Sequence, residues 1–145
     1  MELSLISRIL LYIIIVIFGL LCALVFRWQM MVLRGKCMNN PDGTIDDWHE
    51  QKLFYGIAIA DITIAVPVAL IGIALIFTGL RMGFYLTGLA SFWFLWANVM
   101  TTVTSLRFEK PKISVKWFIV FPFGAIIGLA YIVWTLVHFD AVFLS

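Results

Sequence analysis

Residues 9–26 have the sequence ILLYIIIVIFGLLCALVF, which contains no charged side chain. An α-helix rises about 1.5 Å per residue, so about 20 apolar residues cross the roughly 30 Å hydrocarbon core of a bilayer. This stretch extends to Leu33 if Arg27 is tolerated, which makes it long enough to span. Backbone amides in lipid must find partners within their own segment, so the stretch is predicted to be a helix.

Three further stretches have the same apolar character. The predicted spans are 9–33, 53–79, 82–106 and 117–138. They are joined by a loop at 34–52, a tight turn around Gly79 and a short segment at 107–116. The sequence therefore predicts an all-α fold with one domain over residues 1–145, an integral membrane four-helix transmembrane bundle that runs up-down-up-down.

The composition of the 145 residues supports a lipid environment. Hydrophobic residues make up 63% of the chain and charged residues 12%, and the mean hydropathy is +1.07. A soluble domain carries about 25% charged residues, so this chain has too few to cover a surface that faces water. Membrane lipids are the expected contacts. The net charge of +2 gives no reason to expect binding to nucleic acid.

The distribution of basic residues predicts an orientation in the cell membrane. Loops 34–52 and 107–116, with the ends of the spans that flank them, hold most of the lysine and arginine, whereas the opposite side holds only Arg8 and Arg81. Basic residues are enriched on the cytoplasmic side of membrane proteins. Both loops are therefore predicted to be cytoplasmic and both termini outside. Most of the tyrosine and tryptophan residues near the span ends suit the aromatic belts of a bilayer: Tyr12, Trp28, Tyr85, Trp117, Tyr131 and Trp134.

Asp61 is the most informative polar residue of the spans. It lies about 12 Å along the helix from Leu53, where a charge costs at least about 2.5 kcal/mol on insertion scales. A carboxyl group at that depth is expected to face protein and to have a partner. Arg27 lies at a similar depth on the preceding, antiparallel helix, which predicts an ion pair with Asp61. Pro67 lacks an N–H and is expected to free a carbonyl near Thr63 and to kink this helix.

The third span adds a row of polar residues whose spacing places them on one helical face: Thr87, Ser91, Asn98, Thr102 and Ser105. Asn98 lies at the level of Asp61, so we predict a buried polar cluster of Arg27, Asp61, Asn98 and Thr102. Such a cluster either holds the helices together or forms a site for a proton, an ion or a substrate. In a third alternative, Arg27 extends to the lipid headgroups and Asp61 pairs elsewhere or is protonated.

Two features of the third and fourth spans concern packing. Gly124 and Gly128 form a GxxxG pattern, which lets another helix approach closely. That helix belongs either to the same bundle or to another subunit. Trp93 and Trp96 lie in mid-helix, although tryptophan prefers the membrane interface. They either fill space inside the bundle or face a partner.

The loop at 34–52 contains the one candidate metal site. Asp46, His49 and Glu50 have i, i+3, i+4 spacing and would share a helical face, where they could bind a metal. The alternative is a solvated loop whose acidic residues precede a helix. Haem is not expected, because the topology places His49 and His138 on opposite sides of the membrane. No cofactor is predicted.

The sequence contains no phosphate-binding loop, no GxSxG and no HExxH. Serine, histidine and acid are not expected to converge, so an enzyme is not favoured. The leading hypothesis is a non-catalytic membrane subunit or accessory protein that stabilises or regulates a larger complex. The first alternative is a small homo-oligomeric transporter or channel that uses Asp61. The second is a membrane enzyme with a metal or carboxylate site in the 34–52 loop.

Overall fold

A computed structural model describes residues 3–35, 52–108 and 113–144 of the chain, and every regular element within these ranges is helical. The prediction of an all-α fold is confirmed. Four helices are long and apolar enough to cross a membrane, and we call them the first to fourth long helices in chain order. Their bounds are Leu5–Leu33, Tyr55–Phe77, Arg81–Phe108 and Val115–Val137.

The second long helix is not uniform. It starts within the α-helix Lys52–Ala60, which widens into the π-helical turn Asp61–Ala65 and continues as the α-helix Val66–Phe77. In the widened turn the N–H of Val66 donates to the carbonyl of Asp61, five residues earlier. Pro67 lies in the first turn of the following α-helix, a position that tolerates proline because its N–H is not needed there. The proline is thus accommodated by a local change of helix type.

The fourth long helix is also interrupted. Its first part, Val115–Val120, is capped by Ser114, whose side chain accepts a hydrogen bond from the N–H of Trp117. The helix breaks at Phe121 and resumes as Pro122–Val137, as expected where a proline cannot continue the hydrogen-bond ladder. A second π-helical turn, Asp140–Leu144, follows the end of this helix.

The second and third long helices pack with their backbones in close contact. The chain turns at Gly79, whose φ of +77° suits a residue without a Cβ. A Cβ built on Gly72 would lie 2.6 Å from Thr87 Oγ1, and one built on Gly83 would lie 2.5 Å from the backbone nitrogen of Ile76. Larger residues at Gly72 and Gly83 would therefore push the two helices apart.

The core lies between all four helices. The first long helix packs against the second and fourth, and the third packs against the same two. Phe18 and Phe94 meet across the centre, with ring centroids 5.1 Å apart in an edge-on arrangement. Outward-facing positions are also apolar; Leu20 and Phe92, for example, are 64% and 66% exposed. A surface of this kind is compatible with a multi-pass membrane protein.

Three aromatic residues assigned to the interface belts lie inside the bundle, so the prediction is wrong for them. Tyr131, Trp134 and Trp117 are buried. Their polar groups donate to the carbonyl of Phe84, the carbonyl of Ser7 and the hydroxyl of Ser105, respectively. Position near a span end does not determine which side of the helix a residue occupies. Buried tyrosine and tryptophan then need hydrogen-bond acceptors within the protein.

Candidate functional site

The carboxyl group of Asp61 is the centre of the candidate site. Asp61 is 7% exposed and begins the π-helical turn of the second long helix. Single π-helical turns within α-helices frequently occur at functional sites. Here the widened turn and the buried carboxyl group coincide at one residue.

Two N–H donors from two other helices surround this carboxyl group. Gln29 Nε2, from the first long helix, donates to Asp61 Oδ2 at 2.6 Å. The indole N–H of Trp93, from the third long helix, is a second hydrogen-bonding group beside it. Both donors are uncharged at any physiological pH, and the indole nitrogen cannot accept a hydrogen bond. The two N–H groups can therefore hydrogen-bond to a carboxylate oxygen of Asp61, but they do not neutralise its negative charge.

The structure does not bring Arg27 to Asp61, which corrects the expected ion pair. Arg27 is exposed on the outside of the first long helix, and no ion pair to Asp61 is formed by the side chains that the structure describes. The reason is rotational. Side chains two residues apart are separated by about 200° around the helix axis, which places them on nearly opposite sides. Because Gln29 points towards Asp61, Arg27 points out of the bundle. The predicted position of Arg27 along the helix was near the level of Asp61, but the side of the helix on which Arg27 lies was wrong.

Asn98 and Thr102 form a separate group, so the predicted cluster is divided. Asn98 is buried, and its Nδ2 donates to the carbonyl of Phe94 at 2.7 Å. Thr102 Oγ1 donates to the carbonyl of Asn98 at 2.6 Å. Trp93 and Asn98 are five residues apart and so point about 140° apart around the helix. Trp93 faces Asp61, whereas Asn98 faces the fourth long helix.

Gly124 and Gly128 receive this face of the third long helix. A Cβ on Gly124 would lie 2.7 Å from Asn98 Oδ1, and one on Gly128 would lie 2.8 Å from the carbonyl oxygen of Ser91. The GxxxG pattern is therefore used within the chain, where it brings the third and fourth long helices together. Of the two readings left open by the sequence, the structure shows internal packing.

A second polar group, which the sequence did not indicate, lies at the end of the bundle where the first long helix begins. Ser7 Oγ is 2.6 Å from His138 Nε2, and His138 Nδ1 is 2.8 Å from the carbonyl oxygen of Trp134. A serine and a histidine thus meet here, and the hydrogen bonds of this group include no acidic side chain among the described residues. Ser7 and His138 are 131 positions apart, and only the packing of the first helix against the fourth brings them together.

The remaining predicted site residues, Asp46, His49 and Glu50, lie outside the described residues. Within 3–35, 52–108 and 113–144 there is no group of three histidine, cysteine, aspartate or glutamate side chains that could bind a metal. The metal site of the 34–52 loop stays a prediction.

Comparison of the chain with protein families, with curated proteins and with solved structures finds no match. The class of protein is therefore assigned from the helices that the structure describes. Over the part of the chain that the structure describes, every regular element is helical and four helices are long and apolar enough to span a membrane. A carboxyl group is buried among three of them.

Proposed function

We propose that the protein is a small membrane transport protein for protons, in which Asp61 binds and releases the proton. The observation that supports this most is the burial of a carboxyl group that hydrogen-bonds to Gln29 and Trp93 but forms no ion pair with any side chain that the structure describes. Ionisable groups inside a membrane are expensive and normally belong to a pathway or relay. A structural contact alone would be served by an uncharged residue.

The residues around Asp61 suit both of its protonation states. The side-chain amide of Gln29 carries a donor and an acceptor on one group. Its N–H₂ donates to the carboxylate, as observed at 2.6 Å, and its carbonyl oxygen accepts from the protonated carboxyl group after the amide rotates. Gln29 can therefore hydrogen-bond to Asp61 in either protonation state.

A proton fits this site better than a metal cation. Ca²⁺ takes six to eight oxygen ligands and Mg²⁺ requires a near-octahedral set of oxygens. Around Asp61 the structure shows two N–H groups, one of which, on Trp93, can only donate. A donor of this kind repels a cation but tolerates a proton carried on the carboxyl oxygen.

In this proposal the four long helices cross the membrane in the order up-down-up-down. Loops 34–52 and 107–116 lie in the cytoplasm and both termini lie outside, as the lysine and arginine distribution favours. The contact between Ser7 and His138 supports the arrangement, because it joins the start of the first long helix to the end of the fourth. Four helices barely enclose a pathway, so we propose that the protein acts as a homo-oligomer.

Proton flux into liposomes tests this function. Purified protein is reconstituted with a pH-sensitive dye inside the vesicles, and a pH gradient is imposed. The wild-type protein should dissipate the gradient faster than protein-free vesicles do, and Asp61→Asn should lower the rate to that of protein-free vesicles. Asp140→Asn, a change at an exposed carboxyl group, should keep the wild-type rate.

Gel filtration and circular dichroism establish that each variant is folded before its flux is compared. Folded Asp61→Asn protein with wild-type flux would contradict the proposal. Wild-type protein no faster than empty vesicles would contradict it as well.

A second candidate function, an accessory subunit of a larger membrane complex, is favoured by the outer face of the third long helix. Phe92 and Trp96 are 66% and 57% exposed and lie four residues apart, so they share one face. Tryptophan is enriched at protein interfaces, which suits contact with a partner helix. Co-purification of one partner from native membranes, lost in Trp96→Ala, would support this function; homogeneous protein without a partner would oppose it.

A further inference from the structure

The contact between Ser7 and His138 has the geometry of a nucleophile and its base. Ser7 Oγ lies 2.6 Å from His138 Nε2, within the range for proton transfer between such groups. Neither residue takes part in the site around Asp61. The pair joins the first turn of the first long helix to the C-terminal end of the fourth.

The second nitrogen of the imidazole fixes the direction of this hydrogen bond. His138 Nδ1 lies 2.8 Å from the carbonyl oxygen of Trp134, and a carbonyl oxygen can only accept. Nδ1 of the neutral ring therefore carries the proton, and Nε2 presents its lone pair. The Ser7 hydroxyl donates to Nε2, which is the arrangement a base needs in order to take the serine proton.

Trp134 holds both members of the pair in place. Its ring stacks on the imidazole with centroids 4.6 Å apart and an interplanar angle of 21°. Its indole N–H donates to the backbone carbonyl of Ser7 at 3.1 Å. One buried side chain thus orients the histidine and anchors the serine. In hydrolases with a catalytic triad an acidic residue orients the histidine, and here the carbonyl oxygen of Trp134 takes that place.

The surroundings of the pair are apolar and open. Ser7 and His138 are both half-buried, so neither is fully enclosed by the bundle. On the first long helix Leu5 and Ile6 are 73% and 79% exposed, and on the fourth Leu136 and Val137 are 67% and 73% exposed. A long acyl chain would lie against such side chains.

We propose that Ser7 and His138 cleave fatty acyl esters of membrane lipids at the surface of the bilayer. The Ser7 oxygen attacks the ester carbonyl carbon while its proton passes to His138 Nε2. The bond from carbon to the alcohol oxygen breaks, and His138 returns the proton to that oxygen, which leaves an acyl group on Ser7. Water, deprotonated by His138, then releases the fatty acid and restores the serine. The positive end of the helix that begins at Leu5 favours the negative charge that develops near Ser7.

Labelling with an alkyl fluorophosphonate tests the nucleophile. Intact mass and peptide mapping of the detergent-solubilised protein should show one label on Ser7 and none on Ser114, an exposed serine that caps the fourth long helix. His138→Gln should slow labelling by at least about 100-fold, the lower range of a lost general base. Ser114→Ala should label at the wild-type rate.

Folding is checked for each variant by circular dichroism and gel filtration, and His138→Gln serves where Ser7→Ala fails to fold. Folded wild-type protein that stays unlabelled, while a known serine hydrolase reacts in the same detergent, would overturn the proposal. Labelling of Ser7 that is as fast in His138→Gln would overturn it too.

The substrate class has its own measurement. The wild-type protein should hydrolyse 4-nitrophenyl decanoate faster than 4-nitrophenyl acetate in mixed micelles, and Ser7→Ala or His138→Gln should abolish both activities. An equal or greater rate with the acetate would overturn the assignment to fatty acyl esters. Ser114→Ala should leave these rates unchanged, because Ser114 caps the start of the fourth long helix, whereas His138 follows its other end.

Discussion

Two π-helical turns among the described residues begin with an aspartate, and the two aspartates have opposite surroundings. Asp61 opens the turn Asp61–Ala65 within the second long helix and is 7% exposed. Asp140 opens the turn Asp140–Leu144 beyond the fourth long helix and is exposed. The local backbone is of the same type in both. What differs is the packing of other helices around the carboxyl group.

The same local backbone geometry thus holds two aspartates whose chemical surroundings differ. A widened turn at the end of the bundle leaves Asp140 accessible to solvent or headgroups, where its charge costs little. The same kind of turn in the middle of a helix places Asp61 beside Gln29 and Trp93, whose N–H groups are its hydrogen-bond partners. The functional potential of Asp61 therefore arises from tertiary packing rather than from the π-helical turn itself.

The largest expected effect comes from reversing the charge in each turn. Asp61→Lys places an ammonium group against two N–H donors, and a buried charge without a partner costs about 3–5 kcal/mol. Asp140→Lys should change the free energy of unfolding by less than about 0.5 kcal/mol, as at most exposed sites. Unfolding in detergent, followed by circular dichroism, measures both. Equal losses in the two variants would remove the distinction between the turns.

An intermediate effect is expected at the residue that donates to Asp61. Gln29→Leu removes the hydrogen bond to Oδ2 and should lower the free energy of unfolding by about 1–3 kcal/mol, because the buried oxygen loses a partner. Arg27→Leu, on the opposite side of the same helix, should change it by less than about 0.5 kcal/mol. A larger loss in the free energy of unfolding from Arg27→Leu than from Gln29→Leu would indicate that Arg27 is the partner of Asp61. It would contradict the observed rotation of the first long helix.

The smallest effect should appear at the indole beside Asp61. Trp93→Phe keeps most of the ring and removes the N–H, which should cost about 1 kcal/mol. Trp96→Phe makes the same change on the outer face and should have no measurable effect on unfolding. Combining Trp93→Phe with Asp61→Leu separates the lost hydrogen bond from the lost ring volume, since only the volume term should persist. If Trp93→Phe lowers the free energy of unfolding by the same amount in Asp61→Leu protein as in wild-type protein, Trp93 acts through packing alone.

The helices themselves could be predicted from sequence because length and hydropathy suffice for that purpose. Predicted spans 9–33, 53–79, 82–106 and 117–138 correspond to helices Leu5–Leu33, Tyr55–Phe77, Arg81–Phe108 and Val115–Val137. The choice of Asp61 as a buried residue followed from its depth along the span. These properties depend on position along one helix, which the order of residues records directly.

Properties that depend on rotation about the helix axis were not predictable in the same way. Depth placed Arg27 beside Asp61, but the packed face of the first long helix carries Gln29, which is nearly opposite. Trp93 and Asn98 lie five residues apart on the third long helix. They face different helices because they point about 140° apart around its axis. The pair Ser7 and His138 requires the first and fourth long helices to meet, and neither residue belongs to a motif that indicates the other.

Infrared difference spectroscopy between acidic and alkaline samples in lipid tests the proton-binding role of Asp61 most directly. The wild-type protein should show a protonated-carboxyl band that is lost at higher pH, absent from Asp61→Asn and retained in Asp140→Asn. Identical difference spectra from folded wild-type and Asp61→Asn protein would contradict that role.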